Sequence, residues 1–199
     1  ILRVWLESSG RACHGAQPER GDNAIYRLLP LAQALRDELA PELAARRHPV
    51  LGGASLNLGV LQGGRDLNIV PDFCRAGLDL RLHPDVTPRE VLARLRELAR
   101  KHAPRTRLRI HRTGPSFVMS RDHEWAKALR GAGRGWAAAD WFCDANVFAA
   151  GGIPAVAFGP GDIAQAHTRD EFIRETDLRD GADAFLRFLT ADVPGKERV

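Results

Sequence analysis

Over residues 1–112 the apolar residues fall into six successive periodic segments, and that order limits the fold more than any other feature of the chain. Leu2, Val4 and Leu6 alternate with Arg3, Trp5 and Glu7, the two-residue period of a half-buried strand. From about Asn23 the spacing becomes helical, with Ile25, Leu28, Leu29, Ala32, Leu35 and Leu39 on one stripe. Asp22 is the expected N-cap, and Pro30 predicts a kink or a restart inside this helix. Leu56, Leu58 and Val60 mark a second strand. Leu78, Leu80 and Leu82 mark a third, with Asp79 and Arg81 on its opposite face. Thr87-Pro88-Arg89-Glu90 reads as a capping box with proline at the first helical position, opening a helix that carries Val91, Leu92, Leu95 and Leu98. Leu108 and Ile110, set against Arg107, Arg109 and His111, form the fourth strand. The order β-α-β-β-α-β is the split β-α-β, ferredoxin-like arrangement: an antiparallel α+β sheet with two helices on its apolar face.

Beyond the turn-rich link Thr113-Gly114-Pro115 the pattern shifts to α/β. Helices are expected over 122–131, Ala145–Ala150 and Asp177–Leu189, and a short buried strand over Ala155–Phe158. One strand and three helices cannot close a core of their own. This incomplete segment should therefore expose apolar surface around Val156 and Phe158 and make the chain poorly soluble unless something covers it. The start at Ile1, with Met119 the only methionine, suggests a piece of a longer protein.

Composition excludes several classes. Hydrophobic residues make up 44% of the 199, enough for a core, and no apolar run approaches the ~18 residues of a membrane span. No secretory leader is visible. The net charge of +4 is carried almost wholly by arginines scattered among Asp and Glu, which argues against a nucleic-acid partner. Cys13, Cys74 and Cys143 form neither a disulfide framework nor a zinc knuckle, so a reducing cytoplasm is the expected location. No G-x-S-x-G supports a serine hydrolase. Gly131–Gly135 lacks the strand and the Lys-Ser/Thr of a phosphate loop.

Four patches could carry chemistry: Cys13-His14-Gly15 with Pro18 and Gly21-Asp22-Asn23; Gly63-Gly64 and Asn68-Ile69-Val70-Pro71-Asp72, followed by Arg81; Phe158-Gly159-Pro160-Gly161-Asp162; and Ala166-His167-Thr168-Arg169-Asp170-Glu171. Singly, each has an ordinary structural reading: a solvated histidine, glycine turns, or acidic residues at a helix start. Cys13 and His14 are neighbours in an extended chain and point apart, so they make no thiol–imidazole dyad.

In combination and order, "GRACHGAQPERGDNAI", "GGRDLNIVPDFCRAGLDLRLHPDVTP" and "WFCDANVFAAGGIPAVAFGPGDIAQAHTRDEFI" resemble the dinuclear-zinc amidohydrolases and exopeptidases. That family includes acetylornithine deacetylase, succinyl-diaminopimelate desuccinylase, aminoacylase and glutamate carboxypeptidase, and the third stretch is most similar to acetylornithine deacetylase. The resemblance covers nearly the whole chain. It implies that residues 1–113 are a lid or dimerisation domain and that 114–199 are the C-terminal part of a catalytic domain. It implies that His14 reaches across a homodimer to stabilise an oxyanion, that Asn68 contacts substrate, and that Arg81 grips a substrate carboxylate. Gly159 and Gly161 would offer backbone N–H groups, and His167 would be a terminal zinc ligand, with Glu171 in the same motif. Asp144 lies in a family-like element without an assigned role. The family's other ligands, including a Glu-Glu pair, lie upstream of the lid, and no Glu-Glu occurs here. His83-Pro84-Asp85 mimics the family's His-x-Asp, but it follows the third strand and is read as a decoy. The expected function is thus part of a zinc-dependent hydrolase of N-acyl amino acids or small peptides, inactive by itself because one histidine cannot hold a catalytic zinc. A non-enzymatic dimerisation module is the alternative.

Overall fold

A computed structural model of the chain describes residues 1–139 and 141–191. The first segment contains β1 (Leu2–Ser9), α1 (Ala24–Ala34), α2 (Ala40–Ala45), a small hairpin of β2 (Arg47–His48) and β3 (Gly52–Gly53), then β4 (Ser55–Gly63), β5 (Phe73–Arg81), α3 (Pro88–His102) and β6 (Arg107–Thr113). The four long strands form one antiparallel sheet in the order β4-β5-β1-β6. Apart from the added hairpin, this is the expected β-α-β-β-α-β arrangement.

Register explains the core. Leu2, Val4 and Leu6 lie opposite Leu80, Leu78 and Ala76, all on one face. Leu28, Leu31, Leu35 and Leu39 from the first helical stretch and Leu95 and Leu98 from α3 close over them, each at most 1% exposed. Ile110 belongs to the same face, but β6 is an edge strand and the side chain stays 51% exposed. The other face is polar. Trp5 lies across Gly77, where a Cβ would come within 2.7 Å of the indole, and the Arg75 guanidinium sits 4.9 Å from the Trp5 ring centroid.

The capping box forms as read. Glu90 N–H donates to Thr87 Oγ1 at 3.2 Å, and Thr87 N–H donates to Glu90 Oε2 at 2.8 Å. These Thr87 bonds hold the Glu90 carboxyl below its usual range. Two details of the first helical stretch differ from expectation. Its N-cap is Asn23, whose Oδ1 accepts from the N–H groups of Ile25 (2.9 Å) and Tyr26 (3.2 Å). Asp22 is instead bridged to Arg11 through its backbone, and its carboxylate pairs with the Arg27 side chain rather than with the first backbone N–H groups of the helix. Pro30 neither breaks nor restarts α1. It lies on the exposed side, where the carbonyl it leaves unpaired can be hydrated. The irregularity comes later, as a π turn over Leu35–Leu39 in which Ala40 N–H reaches back to Leu35. Pro41, which has no N–H to give to the carbonyl of Asp37, follows directly.

The remainder contains α4 (Glu124–Ala132), α5 (Asp144–Ala150) and α6 (Glu175–Thr190). The described residues cluster into two compact units: Ile1–Phe117, joined by Trp141 and Phe142, and a second unit of Val118–Ala139 with the described residues from Cys143 on. Within the second unit α4 packs on α6, with Trp125 edge-on to Phe188. Among its described residues only Ala126, Ala132 and Ala184 are buried. Ala155–Phe158 is not a strand: a strand exists only in a ladder, and no other strand lies among the described residues of this unit. Val156 is half-buried and Phe158 is 41% exposed, as the incomplete core requires.

Candidate functional site

The pairing of β1 with β5 continues beyond both strands in a looser form. Gly10 N–H donates to the Asp72 carbonyl (2.8 Å), Val70 N–H to that of Cys13 (2.9 Å), and Gly15 N–H to that of Asn68 (2.6 Å), while His14 and Ile69 form an isolated bridge. Two loops that are distant in sequence are thereby clasped at one end of the sheet, and His14 and Asn68, both exposed, come together there. Close approach dictates glycine on one side of the clasp, since a Cβ on Gly15 would lie 3.0 Å from the Asn68 carbonyl oxygen.

The His14 ring is held from behind. Its Nδ1 accepts from Ala16 N–H at 3.1 Å. In the neutral ring the proton therefore sits on Nε2, a donor on an exposed side chain. Cys13 does not join it, because its thiol donates to the carbonyl of Gln17 at 3.2 Å.

Arg81 lies elsewhere. It ends β5 beside Leu80, which pairs with Leu2, whereas the His14 loop leaves the sheet past Ser9. The length of β1 between them is about 25 Å. Within one copy the structure does not gather His14, Asn68 and Arg81 into one pocket. Arg81 sits on the polar face, as expected, and its Nε and Nη2 donate to the two oxygens of Asp79 at 2.8 and 3.3 Å. Asp79 also accepts from Arg3 Nε at 3.0 Å. Sequence reading placed Asp79 on this face without giving it a role. The available signal was the two-residue spacing that puts it beside Arg81.

In the second unit His167 has φ +64°, the one left-handed non-glycine residue described. Its N–H donates to Glu171 Oε2 at 3.0 Å, so Glu171 serves the backbone of this turn. Gly161 has φ +103°, which demands glycine, and Gly159 is exposed. Asp144 opens α5, where its charge suits the helix start. Among the described residues no three His, Cys, Asp or Glu side chains are grouped to hold a metal ion. His167 alone does not make a zinc site. His83 is 4% exposed and its Nε2–H donates to the Arg46 carbonyl at 2.8 Å, a bond that ties the end of β5 to the end of α2. No helix among the described residues is long and apolar enough to cross a membrane.

Residues 1–107 match the peptidase dimerisation domain of the M20 peptidases. The chain is 31% identical over 185 residues to an acetylornithine deacetylase of Myxococcus xanthus, covering 87% of this chain and 48% of that protein. It is 29% identical over 199 residues to an N-acetyl-L-citrulline deacetylase of Xanthomonas campestris, covering 95% and 53%. It thus spans about half the length of these curated relatives. Among solved structures, an M20 metallo-carboxypeptidase of Sulfolobus solfataricus superposes with TM-score 0.72 at 15% identity, covering 95% of this chain and 58% of that one. A tripeptidase of Staphylococcus aureus does so with TM-score 0.70 at 18% identity, covering 94% and 50%. These two likenesses concern the fold, which is the α+β, antiparallel lid read from the sequence. With more than half its length matched to the dimerisation domain, the chain belongs to the M20 family of metal-dependent peptidases and deacylases.

Proposed function

We propose that this chain is the lid and the C-terminal catalytic segment of a zinc-dependent hydrolase that cleaves the amide bond of an N-acyl amino acid or small peptide. The lid is residues 1–113 and the catalytic segment 114–199. The observation that carries this reading is the clasp between the two loops, which brings the exposed His14 and Asn68 to one end of the sheet with His14 Nδ1 already occupied. When water adds to an amide carbonyl, the oxygen becomes an anion, and a pre-oriented N–H donor stabilises that charge without reorganising. His14 does this, Asn68 contacts the substrate, and Arg81 holds the carboxylate. Gly159 and Gly161 add backbone N–H donors. His167 is a terminal metal ligand whose co-ligands and general base lie in the part of the relatives' length that this chain does not span.

Because His14 and Arg81 sit at opposite ends of one sheet, a single copy cannot bring both to one substrate. A homodimer can, with His14 and Asn68 of one copy facing the site of the other. The lid offers suitable surfaces: β4 is an edge strand with Leu61 47% exposed, and α1 turns Tyr26 outward, 72% exposed. The reading places the protein in the cytoplasm and involves neither a membrane nor nucleic acid.

Complementation tests it. A whole protein carrying His14→Ala is mixed with the 199-residue chain, which keeps His14 but lacks the other metal ligands. Hydrolysis of N-acetyl-L-ornithine well above the residual rate of the His14→Ala protein alone, and above the absent activity of the 199-residue chain alone, is expected once mixed dimers form. Mixed dimers that remain inactive would refute the shared site.

A further inference from the structure

On the polar face, at the end of the sheet remote from His14, three charged side chains meet. Asp79 lies opposite Arg3 in the β1–β5 register and two residues before Arg81 on β5. It accepts Arg81 Nε at 2.8 Å and Nη2 at 3.3 Å, and Arg3 Nε at 3.0 Å. The same register places Asn57 opposite Asp79, Ser55 opposite Arg81 and Arg112 opposite Arg3, and the Arg112 guanidinium rests 5.1 Å from the Phe142 ring centroid. The Asp79 side chain is 24% exposed, against 35% for Arg81 and 39% for Arg3. The carboxylate is thus the least exposed of the three and lies between the two cations.

We infer that Asp79 is a positioning residue for Arg81, and that Arg3 is the second cation of the same anion receptor; this rests on the reading of Arg81 as the carboxylate-binding residue. An arginine on a strand is long and flexible, and a carboxylate bound by it alone must first fix the guanidinium plane. The side-on pair with Asp79 fixes that plane before the substrate arrives. Charge supports the same assignment. With Arg112 opposite Arg3 in the register, three guanidiniums surround one carboxylate, an excess of positive charge that favours an incoming carboxylate. Without Asp79 the guanidiniums of Arg3 and Arg81 would repel each other and turn away from a common target. Without Arg3 the Asp79–Arg81 pair would itself be neutral, and the cation bonded directly to Asp79 beside Arg81 would be lost.

The test compares KM and kcat of the whole, metal-loaded protein on N-acetyl-L-ornithine and on its α-carboxamide, which lacks the negative charge. Asp79→Asn and Arg81→Gln should each raise KM about tenfold on the acid alone, the size of one lost charge-assisted hydrogen bond, with the effect in KM rather than kcat. Arg3→Gln should raise it by a smaller factor, and Asp79→Glu should recover part of the loss. In the nuclear magnetic resonance spectrum of Asp79→Asn, the Arg81 Nε–H signal should exchange faster with water. A selective effect of Arg81→Gln alongside a silent Asp79→Asn would overturn the positioning role while leaving Arg81 in place. An Arg81→Gln that affects acid and amide alike would remove the reading of Arg81 itself. If Asp79→Asn does not fold, Arg3→Gln decides: a KM rise confined to the acid supports the receptor, and none refutes it.

Discussion

Replacing His14 by alanine in the whole, metal-loaded protein should lower kcat by about 100- to 1,000-fold, the loss typical of one oxyanion donor, with a much smaller change in KM. The expectation follows from the local geometry. Ala16 N–H occupies Nδ1 at 3.1 Å, so the neutral ring carries its proton on Nε2 and needs no tautomer change to donate. The three backbone hydrogen bonds joining residues 10–15 to 68–72 fix the loop that bears the ring. A donor held in this way acts on charge that exists only in the transition state, which is why the loss appears in kcat. Steady-state kinetics on N-acetyl-L-ornithine would measure it. A His14→Ala protein within threefold of the parent in kcat would remove His14 from the chemistry.

The largest effect on stability is expected at Leu80. It is wholly buried, lies in register with Leu2 on one side and Leu56 on the other, and sits under the helices. Leu80→Ala should cost about 2–5 kcal/mol, from lost transfer free energy and the cavity left behind. That is a large part of the 5–15 kcal/mol typical of a domain. Leu186 is equally apolar but 60% exposed on α6. Leu186→Ala should change stability by less than about 0.5 kcal/mol. Urea unfolding followed by circular dichroism compares the two. Equal losses would mean that the core is not confined to the sheet and its helices.

Much of the lid is legible in the sequence because its signals are local. The alternation in Leu2–Leu6 and Leu78–Leu82, and the Thr87–Glu90 box, each specify an element within a few residues. Where a decision depends on a distant partner, sequence reading fails. Ala155–Phe158 has the composition of a strand but no ladder to join. Asp22 has the chemistry of an N-cap, yet its bridge to Arg11 and its pair with Arg27 direct it elsewhere, and Asn23 takes the cap. Pro30 reads as a break, but its exposed position lets α1 run through it. The clasp of His14 with Asn68 is invisible in either segment alone, because it comes from the β1–β5 pairing running on past Ser9 and Phe73. The role of Asp79 is illegible for the same reason. An acidic residue on a polar strand face is unremarkable until Arg3, from another strand, is seen to share it.

In the function proposed above, these 199 residues supply lid chemistry and a single metal ligand, and not a working metal centre. The most direct measurement is release of ornithine from N-acetyl-L-ornithine by the purified 199-residue chain, with zinc added and then with a chelator. No hydrolysis above the zinc-only control is expected. Zinc-dependent turnover by this chain, abolished by the chelator, would contradict it.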